Sequence, residues 1–348
     1  MPCGSCRSAG VRDPALDSVV AAPHNCTSRA DPLDRVAPEP GTITGANVTS
    51  DAPSAQSAAN TPGLPPASRK PRDDEIELWG LTHPGKVRTT NEDHFLVGSL
   101  FKQLAIWATS LPDTDQLRIS NERLGSLAMV ADGVGGEAAG EEASRLALEE
   151  ITQYVTQTTG CYYVSDAQAE QFMDLLQSAA MQSHQRVVER SRASPGMRGM
   201  ATTLTLWIIT WPWTYLLQVG DSRYYLYRDG VLRQITRDQT MAQELIDMGV
   251  MARPAAMASP WANVLSSSLG GEQTAPAVTR IPATWGDVHL LCSDGLTKHV
   301  SDARIAERLA SMTSVQQVCE ALLQDALDGG GTDNITIIVA RAVPKEAR

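Results

Sequence analysis

The sequence predicts an α+β fold, with strands packed in antiparallel layers and helices grouped together, and three observations carry that expectation. Short apolar runs with tight turns between them succeed one another from Thr202 to Ile235, the pattern of a β-meander. Long amphipathic stretches come as one pair early, over about 137–156 and 166–192, and a second pair late, near 302–311 and 314–328. That grouping suits a layered sandwich better than a parallel sheet with alternating crossovers. Neither G-x-G-x-x-G nor a Walker A sequence is present, so nucleotide-binding folds gain no support.

The 348 residues leave room for one large domain or two modest ones, and 42% hydrophobic content is ample for a core. A formal charge of −11 argues against nucleic acid as a partner, because that affinity rests on Lys and Arg. Cys3, Cys6, Cys26, Cys161, Cys292 and Cys319 show no disulfide framework, which fits a reducing cytoplasm. Residues 1–72 hold 11 of the 20 prolines and none of the Trp, Tyr or Phe. They are expected to be a disordered tail, since they lack the side chains to bury a core. The Cys3–Cys6 pair has no second pair at zinc-site spacing. With no apolar h-region, a secretory signal is not expected, so the sequons at Asn25 and Asn47 are taken as chance matches. One domain is expected over 73–343, followed by a short tail at 344–348.

Order is expected from about Ile76, with a strand over Glu77–Leu81 and a turn at Pro84-Gly85. Arg88 follows, then Asn91-Glu92-Asp93 before a strand from Phe95 to Val97; by itself this acidic pair suits a solvated cluster as well as a site. Residues 101–126 form a polar excursion. An apolar run, Leu127–Ala131, predicts a strand ending at Asp132, and glycines then lead into the first long helix. Asp166 can cap the second, whose face carries Phe172, Leu175, Leu176, Ala179 and Val187. His184 on that helix has no metal-type partner at helical spacing. The run Thr202–Val219 is shorter than the roughly 20 residues of a membrane span and is broken by Pro212. Two core strands joined at Trp211-Pro212-Trp213 explain it, with Trp207, Trp211 and Trp213 as packing residues. Gly220-Asp221-Ser222-Arg223 and Asp229-Gly230 make turns. A short helix is expected over Asp238–Gly249, a mobile segment over 250–276, and strands near 277–282 and 287–292. Gly329–Gly331 breaks the last helix before a closing strand.

Chemistry first shows in a repeated grammar. Apolar strands end in Asp132-Gly133 and again in Asp294-Gly295, while Asp333 immediately precedes the closing strand. Strand–Asp-Gly turns are common as plain structure. If the closing strand lies antiparallel to its neighbour, however, Asp333 shares a sheet edge with the other two. Three carboxylates in one place repel unless cations intervene, and oxygen ligands suit a hard divalent ion.

At this point the chain resembles the metal-dependent protein phosphatases of the 2C type, in their bacterial branch, over about 76–341. Arg88-Thr-Thr-Asn91-Glu92-Asp93 resembles R-x-x-N-E-D, and Asp132-Gly-Val-Gly-Gly136 resembles D-G-x-G-G. Ala201-Thr202-Thr203 resembles G-T-T, with Ala201 in place of the usual glycine. Gly220–Arg223, Ser293–Leu296 and Asp333-Asn334 match G-D-S-R, S-D-G-L and the terminal D-N. The resemblance implies a four-layer α-β-β-α sandwich, two packed antiparallel sheets flanked by helices. It implies two Mn²⁺ or Mg²⁺ ions, with Asp132 bridging, Asp294 and Asp333 on one ion and the Gly133 carbonyl on the other. Asp221 resembles a ligand of a third ion, but Lys298 stands four residues after Asp294, where some members place another acid. A lysine there would weaken that ion or replace its charge. Glu92 and Asp93 would sit at or just behind the metal shell, and Arg88 would clamp the phosphate. The implied reaction is hydrolysis of phosphoserine and phosphothreonine on proteins by a hydroxide bridging the ions. Expected partners are phosphoproteins, namely Ser/Thr kinases or their targets, met by a cytoplasmic monomer with no membrane attachment. Val134 stands where many animal members carry His, so it supplies no general acid. His83 and His94 are near in sequence but have no assigned role. Cys292 is expected as a buried strand residue. The reading from another class is a catalytically silent domain of the same fold that binds phosphoproteins as a scaffold or sensor.

Overall fold

The computed structural model describes residues 69–102, 122–158 and 169–345. The Cys3–Cys6 pair, both sequons, the Asp166 cap and most of the polar excursion lie outside these residues, as does the proposed tail up to 68. Strands β1 (Ile76–His83), β2 (Asp93–Lys102) and β3 (Glu122–Val134) lead into helices α1 (Glu137–Thr158) and α2 (Ala169–Ala193). Next come β4 (Ala201–Thr202), β5 (Leu204–Thr210), β6 (Trp213–Val219), β7 (Arg223–Arg228) and β8 (Val231–Gln234). After α3 (Met241–Asp247) and α4 (Arg253–Met257) follow β9 (Ala277–Pro282) and β10 (Val288–Cys292). The chain closes with α5 (Asp294–Thr297), α6 (Asp302–Ala310), α7 (Val315–Asp328) and β11 (Ile335–Ala342).

Two antiparallel sheets result, ordered β1-β11-β10-β7-β8 and β2-β3-β5-β6-β9, with β4 attached to β3. Helices α1 and α2 cover the second sheet, where Ile151, Phe172 and Leu176 pack with Met129, Leu206 and Tyr215. Helices α6 and α7 cover the first, where Ile305, Val318 and Leu322 pack with Leu290 and Val339. Between the sheets lie Val130, Trp207, Tyr224, Leu291 and Ile338. The α+β sandwich of four layers is therefore present as expected. Alternate residues of a strand face opposite sides, so strands covered on both faces need apolar residues throughout. That is why β3, β10 and β11 appear in the sequence as continuous apolar runs.

Local chemistry explains most boundaries. The β7–β8 hairpin turns on Asp229 (φ 52°) and Gly230 (φ 79°), the left-handed pair that matches strand twist. The Trp211–Pro212 peptide is cis and joins β5 to β6; Trp213 stacks under Arg280 and Trp211 meets Trp285 edge-on, as packing residues. His184 ties α2 to the following loop, its Nδ1 accepting the Gly270 N–H and bonding Thr274.

Three expectations change. Strand β3 continues past Asp132, because Gly133 and Val134 pair with Thr202 and Ala201 of β4. The segment 250–276 carries α4 and a 3-10 turn at Pro260–Asn263, and bridges Thr240–Leu265 and Thr202–Leu269 pin it to the body. Finally, Arg69–Arg72, assigned to the tail, are ordered against Glu75. That buried carboxylate accepts from Arg69, from the Arg72 N–H and from the Lys345 N–H, while Val343 N–H bonds the Glu75 carbonyl. The salt bridge to Arg69 holds the Glu75 carboxyl far below its usual range. Among the described residues no helix is long and apolar enough to cross a membrane.

Candidate metal centre

Antiparallel pairing gathers the site. Cys292 of β10 faces Ile337 of β11, so Asp294, just after one strand, and Asp333, just before the other, share an edge. Asp93 is the register partner of Asp132 across β2–β3, and Asp221 occupies the β6–β7 turn. The two sheets thus deliver carboxylates to the same end of the sandwich. A cavity of about 250 Å³ opens there, lined by Arg88, Glu92, Asp132, Gly133, Asp221, Asp294, Lys298 and Asp333. Of the residues expected at the site, only Asp93 does not line this cleft. It is buried behind the cleft, with Oδ2 accepting from Ser293 Oγ and Thr336 Oγ1, both at 2.7 Å.

The repeated Asp-Gly grammar has a packing cause. A Cβ on Gly295 would lie 1.9 Å from the Asn334 carbonyl oxygen, and one on Gly133 would lie 2.2 Å from that of Gly140. The glycines admit neighbouring backbone. Asp132 is held by its own backbone: its N–H donates to Thr203 Oγ1 at 3.0 Å. Its carbonyl accepts from Thr203 N–H and from Thr202 Oγ1, both at 2.9 Å. This gives the Thr-Thr pair a physical role. Asn334, noted in the sequence only as half of a dipeptide, pins the loop that carries Arg88. Its Oδ1 accepts the Glu92 N–H at 2.8 Å, and its Nδ2 donates to the carbonyls of Pro84 and Thr90.

The electrostatics show a cluster short of positive charge. Burial, then repulsion from Asp93, Asp294 and Asp221, pushes the Asp132 carboxyl well above the usual carboxylate range. Burial and Asp294 raise Asp221 to about 8. Burial raises Asp93 to about 7 in spite of its two hydroxyl donors. Asp294 is raised by burial too, though Lys298 opposes the shift. Asp333 goes the other way: burial would raise it, but Lys298 and Arg88 outweigh that effect. Lys298 Nζ lies 2.6 Å from both Asp294 Oδ2 and Asp333 Oδ2, and Arg88 Nε lies 2.9 Å from Asp333 Oδ1.

These contacts bear on whether divalent cations fit. Among the described residues no trio of His, Cys, Asp or Glu is already arranged around one point, and the chain's own cations engage oxygens of Asp294 and Asp333. Yet Asp93 Oδ1 and Asp294 Oδ1 are buried without a hydrogen-bond partner, a costly state that a bound cation would relieve. The donors are all oxygen, the set preferred by Mg²⁺ and Mn²⁺. The residues fit such ions.

Other candidates are placed elsewhere. His83 Nδ1 accepts the Gly85 N–H and His94 Nδ1 meets Ser144; neither lines the cleft. Val134 is at the lip, largely exposed. Cys292 is fully buried and its thiol is pushed up to about 12 by that burial, which rules it out as a thiolate nucleophile at neutral pH.

A sandwich of two antiparallel sheets under paired helices, with an acidic cleft where strand ends from both sheets meet, defines the class: an α+β fold built around a cation-dependent site. The chain belongs to the protein phosphatase 2C family, whose model matches residues 107–329. The serine/threonine protein phosphatase PstP of Mycobacterium tuberculosis is 36% identical over 217 residues, which is 62% of this chain and 40% of that protein. The match therefore spans less than half of the mycobacterial relative. The serine/threonine phosphatase stp of Listeria monocytogenes is 31% identical over 259 residues, 74% of this chain and 92% of that one. Among solved structures, the catalytic domain of PstP in complex with two manganese ions superposes with a TM-score of 0.60 at 31% identity, covering 77% of this chain and 99% of that domain.

Proposed function

We propose that this chain is a metal-dependent serine/threonine protein phosphatase, hydrolysing phosphoserine and phosphothreonine on proteins. The observation that carries the reading is the convergence of Asp132, Asp221, Asp294 and Asp333 on one cleft, backed by Asp93, with buried oxygens left unpartnered. Family membership and the manganese-bound relative support the same conclusion. Asp132, Asp294, Asp333 and the Gly133 carbonyl would hold two Mn²⁺ or Mg²⁺ ions, with Asp221 beside them. When bound, such ions offset the phosphate's charge and lower the pKa of water toward neutrality.

The chain's own residues do the rest. Arg88 lies at the cleft and stays charged at every working pH; its planar fork suits two phosphate oxygens. Asn334 holds the 84–92 loop, so Arg88 and Glu92 are positioned together. Asp93 lies too deep to touch a phosphoprotein. It backs Asp132 from behind, kept in place by Ser293 and Thr336.

Substrates are Ser/Thr kinases or their targets, and the enzyme acts as a cytoplasmic monomer. The free, buried thiols of Cys292 and Cys319 support a reducing compartment. The alternative, a silent scaffold, would be favoured by loss of a cleft carboxylate, and the expected ones are all in place. The test is hydrolysis of p-nitrophenyl phosphate and of a phosphothreonine peptide by the full chain. Turnover should require Mn²⁺ or Mg²⁺ and vanish in Asp132→Asn. Activity indifferent to that substitution, or none at millimolar metal, would leave the scaffold.

A further inference from the structure

We propose that Lys298 is a built-in cation that ties Asp294 to Asp333 in the metal-free protein and competes with divalent metal for them. The inference rests on the metal-dependent reading of this cleft and concerns one residue's part in it.

The local fold puts the ammonium there. Helix α5 starts on Asp294, and the Lys298 N–H donates to the Asp294 carbonyl at 2.8 Å, so the two side chains stand one turn apart on the same face. Asp333 enters from the neighbouring strand. The ammonium reaches Oδ2 of each at 2.6 Å. Both Asp333 oxygens are then engaged: its Oδ1 already takes Arg88 Nε at 2.9 Å and the Asn334 N–H at 3.0 Å. Asp294 is left with only a buried, unpartnered Oδ1.

Mg²⁺ binds carboxylate oxygens at about 2.0–2.1 Å, and a divalent ion cannot share these two oxygens with an ammonium in the same place. Binding through the Oδ2 atoms of Asp294 and Asp333 therefore requires Lys298 to leave, and its side chain, 30% exposed, has solvent to move into. Two consequences follow. The metal-free site is held together by a charge from the chain itself. Metal affinity is reduced by the displacement of that charge, so the site loads only where free cation is plentiful.

The test uses the full chain stripped with a chelator. Mn²⁺ binding is followed by the loss of the free-ion electron paramagnetic resonance signal, in wild type, Lys298→Gln and Lys298→Arg. Lys298→Gln should bind Mn²⁺ at least about tenfold more tightly, since a unit charge at contact distance has been removed; Lys298→Arg should stay within about threefold of wild type. Metal-free Lys298→Gln should also melt lower than wild type, because two carboxylates lose their tether. A second measurement needs no variant: acetylation of Lys298, read by mass spectrometry, should rise severalfold when Mg²⁺ is added. Equal or weaker Mn²⁺ binding by folded Lys298→Gln, or Lys298 reactivity unchanged by Mg²⁺ in a protein that binds it, overturns the proposal and leaves the metal site standing. No Mn²⁺ binding by any of the three proteins overturns both.

Discussion

Replacing Gly85 with alanine should damage the centre without touching any of its charged groups. Gly85 belongs to the turn after β1 and has φ +81°, a conformation that costs an L-residue about 1–2 kcal/mol. Space is the larger problem. A Cβ there would sit 2.2 Å from the Asp333 carbonyl oxygen and 2.6 Å from that of Gly331. Both obstacles are backbone, and Lys86 N–H is bonded to that same Gly331 carbonyl at 2.7 Å. To restore contact distance the 331–333 strand entry must retreat by about 1 Å, and overpacking of this kind costs about 1–3 kcal/mol. The expected total is about 2–5 kcal/mol. A shift of that size also takes Asp333 away from Asp294, so Mn²⁺ affinity should fall by roughly tenfold or more. Gly249→Ala supplies the control: its φ is +70° but nothing lies within 4 Å of the new Cβ. It should lose only the conformational cost and keep wild-type Mn²⁺ binding. Urea unfolding and Mn²⁺ titration of both variants check this. If Gly85→Ala lost no more stability than Gly249→Ala and bound Mn²⁺ like wild type, the role given to this turn would be refuted.

Three further outcomes are expected. Arg88→Ala should raise KM by roughly 10- to 100-fold, the range for a charge-assisted phosphate contact, with kcat far less affected; a large fall in kcat at unchanged KM, in steady-state assays on a phosphopeptide, counts against a binding role. His289 is buried against Tyr224, its Nδ1 2.6 Å from the phenol oxygen, and burial lowers its pKa to about 4. Its neutral form therefore contributes stability that is fully present above the unfolded value of about 6.5. The unfolded chain takes up the proton first, so that contribution, about 3 kcal/mol in all, is lost as pH falls toward 4. His289→Gln should flatten this part of the curve in urea titrations between pH 7 and 4, and an unchanged slope would exclude the residue as its source. Asp325 accepts from both Arg304 and Arg308, which hold its carboxyl well below its usual range. Asp325→Asn should lose about 1–3 kcal/mol at neutral pH and show less further loss than wild type in acid titration below about pH 4, where the unfolded chain's carboxylate takes up its proton while the native one, held by two arginines, stays ionised.

How much of this was legible in the sequence depends on the range of the interaction. The succession of strands along the chain, the paired helices and the convergence of Asp132, Asp294 and Asp333 follow from apolar periodicity and antiparallel geometry, which are written locally. The end of β3 was misplaced because Asp132-Gly133 interrupts the apolar run and two more glycines follow Val134. Gly133 and Val134 are strand only because β4, some 70 residues later, pairs with them. The order around Glu75 was missed for the same reason: Arg69 stands in a proline-rich stretch with nothing apolar to signal it, and its partners include the far end of the chain. The functions of Asn334 and Asp93 were hidden differently. Both motifs were visible, but Asn334 acts through carbonyls nearly 250 positions away in sequence, and Asp93 through two hydroxyls of the opposite sheet's edge, Ser293 just past β10 and Thr336 on β11.

Lys298 marks the limit most sharply. Its spacing from Asp294 was visible, and with it the question of whether a lysine weakens a cation or replaces it. Spacing gives the Asp294 contact, one helical turn away. The Asp333 contact requires knowing that β11 enters beside α5, and only with both contacts does the lysine become a clamp between two carboxylates. An i,i+4 Asp–Lys pair on a helix surface would contribute a few tenths of a kcal/mol and pass unnoticed. The same pair set against a second carboxylate, in a cleft where Asp132 and Asp221 are pushed toward neutrality, decides how readily the centre accepts metal.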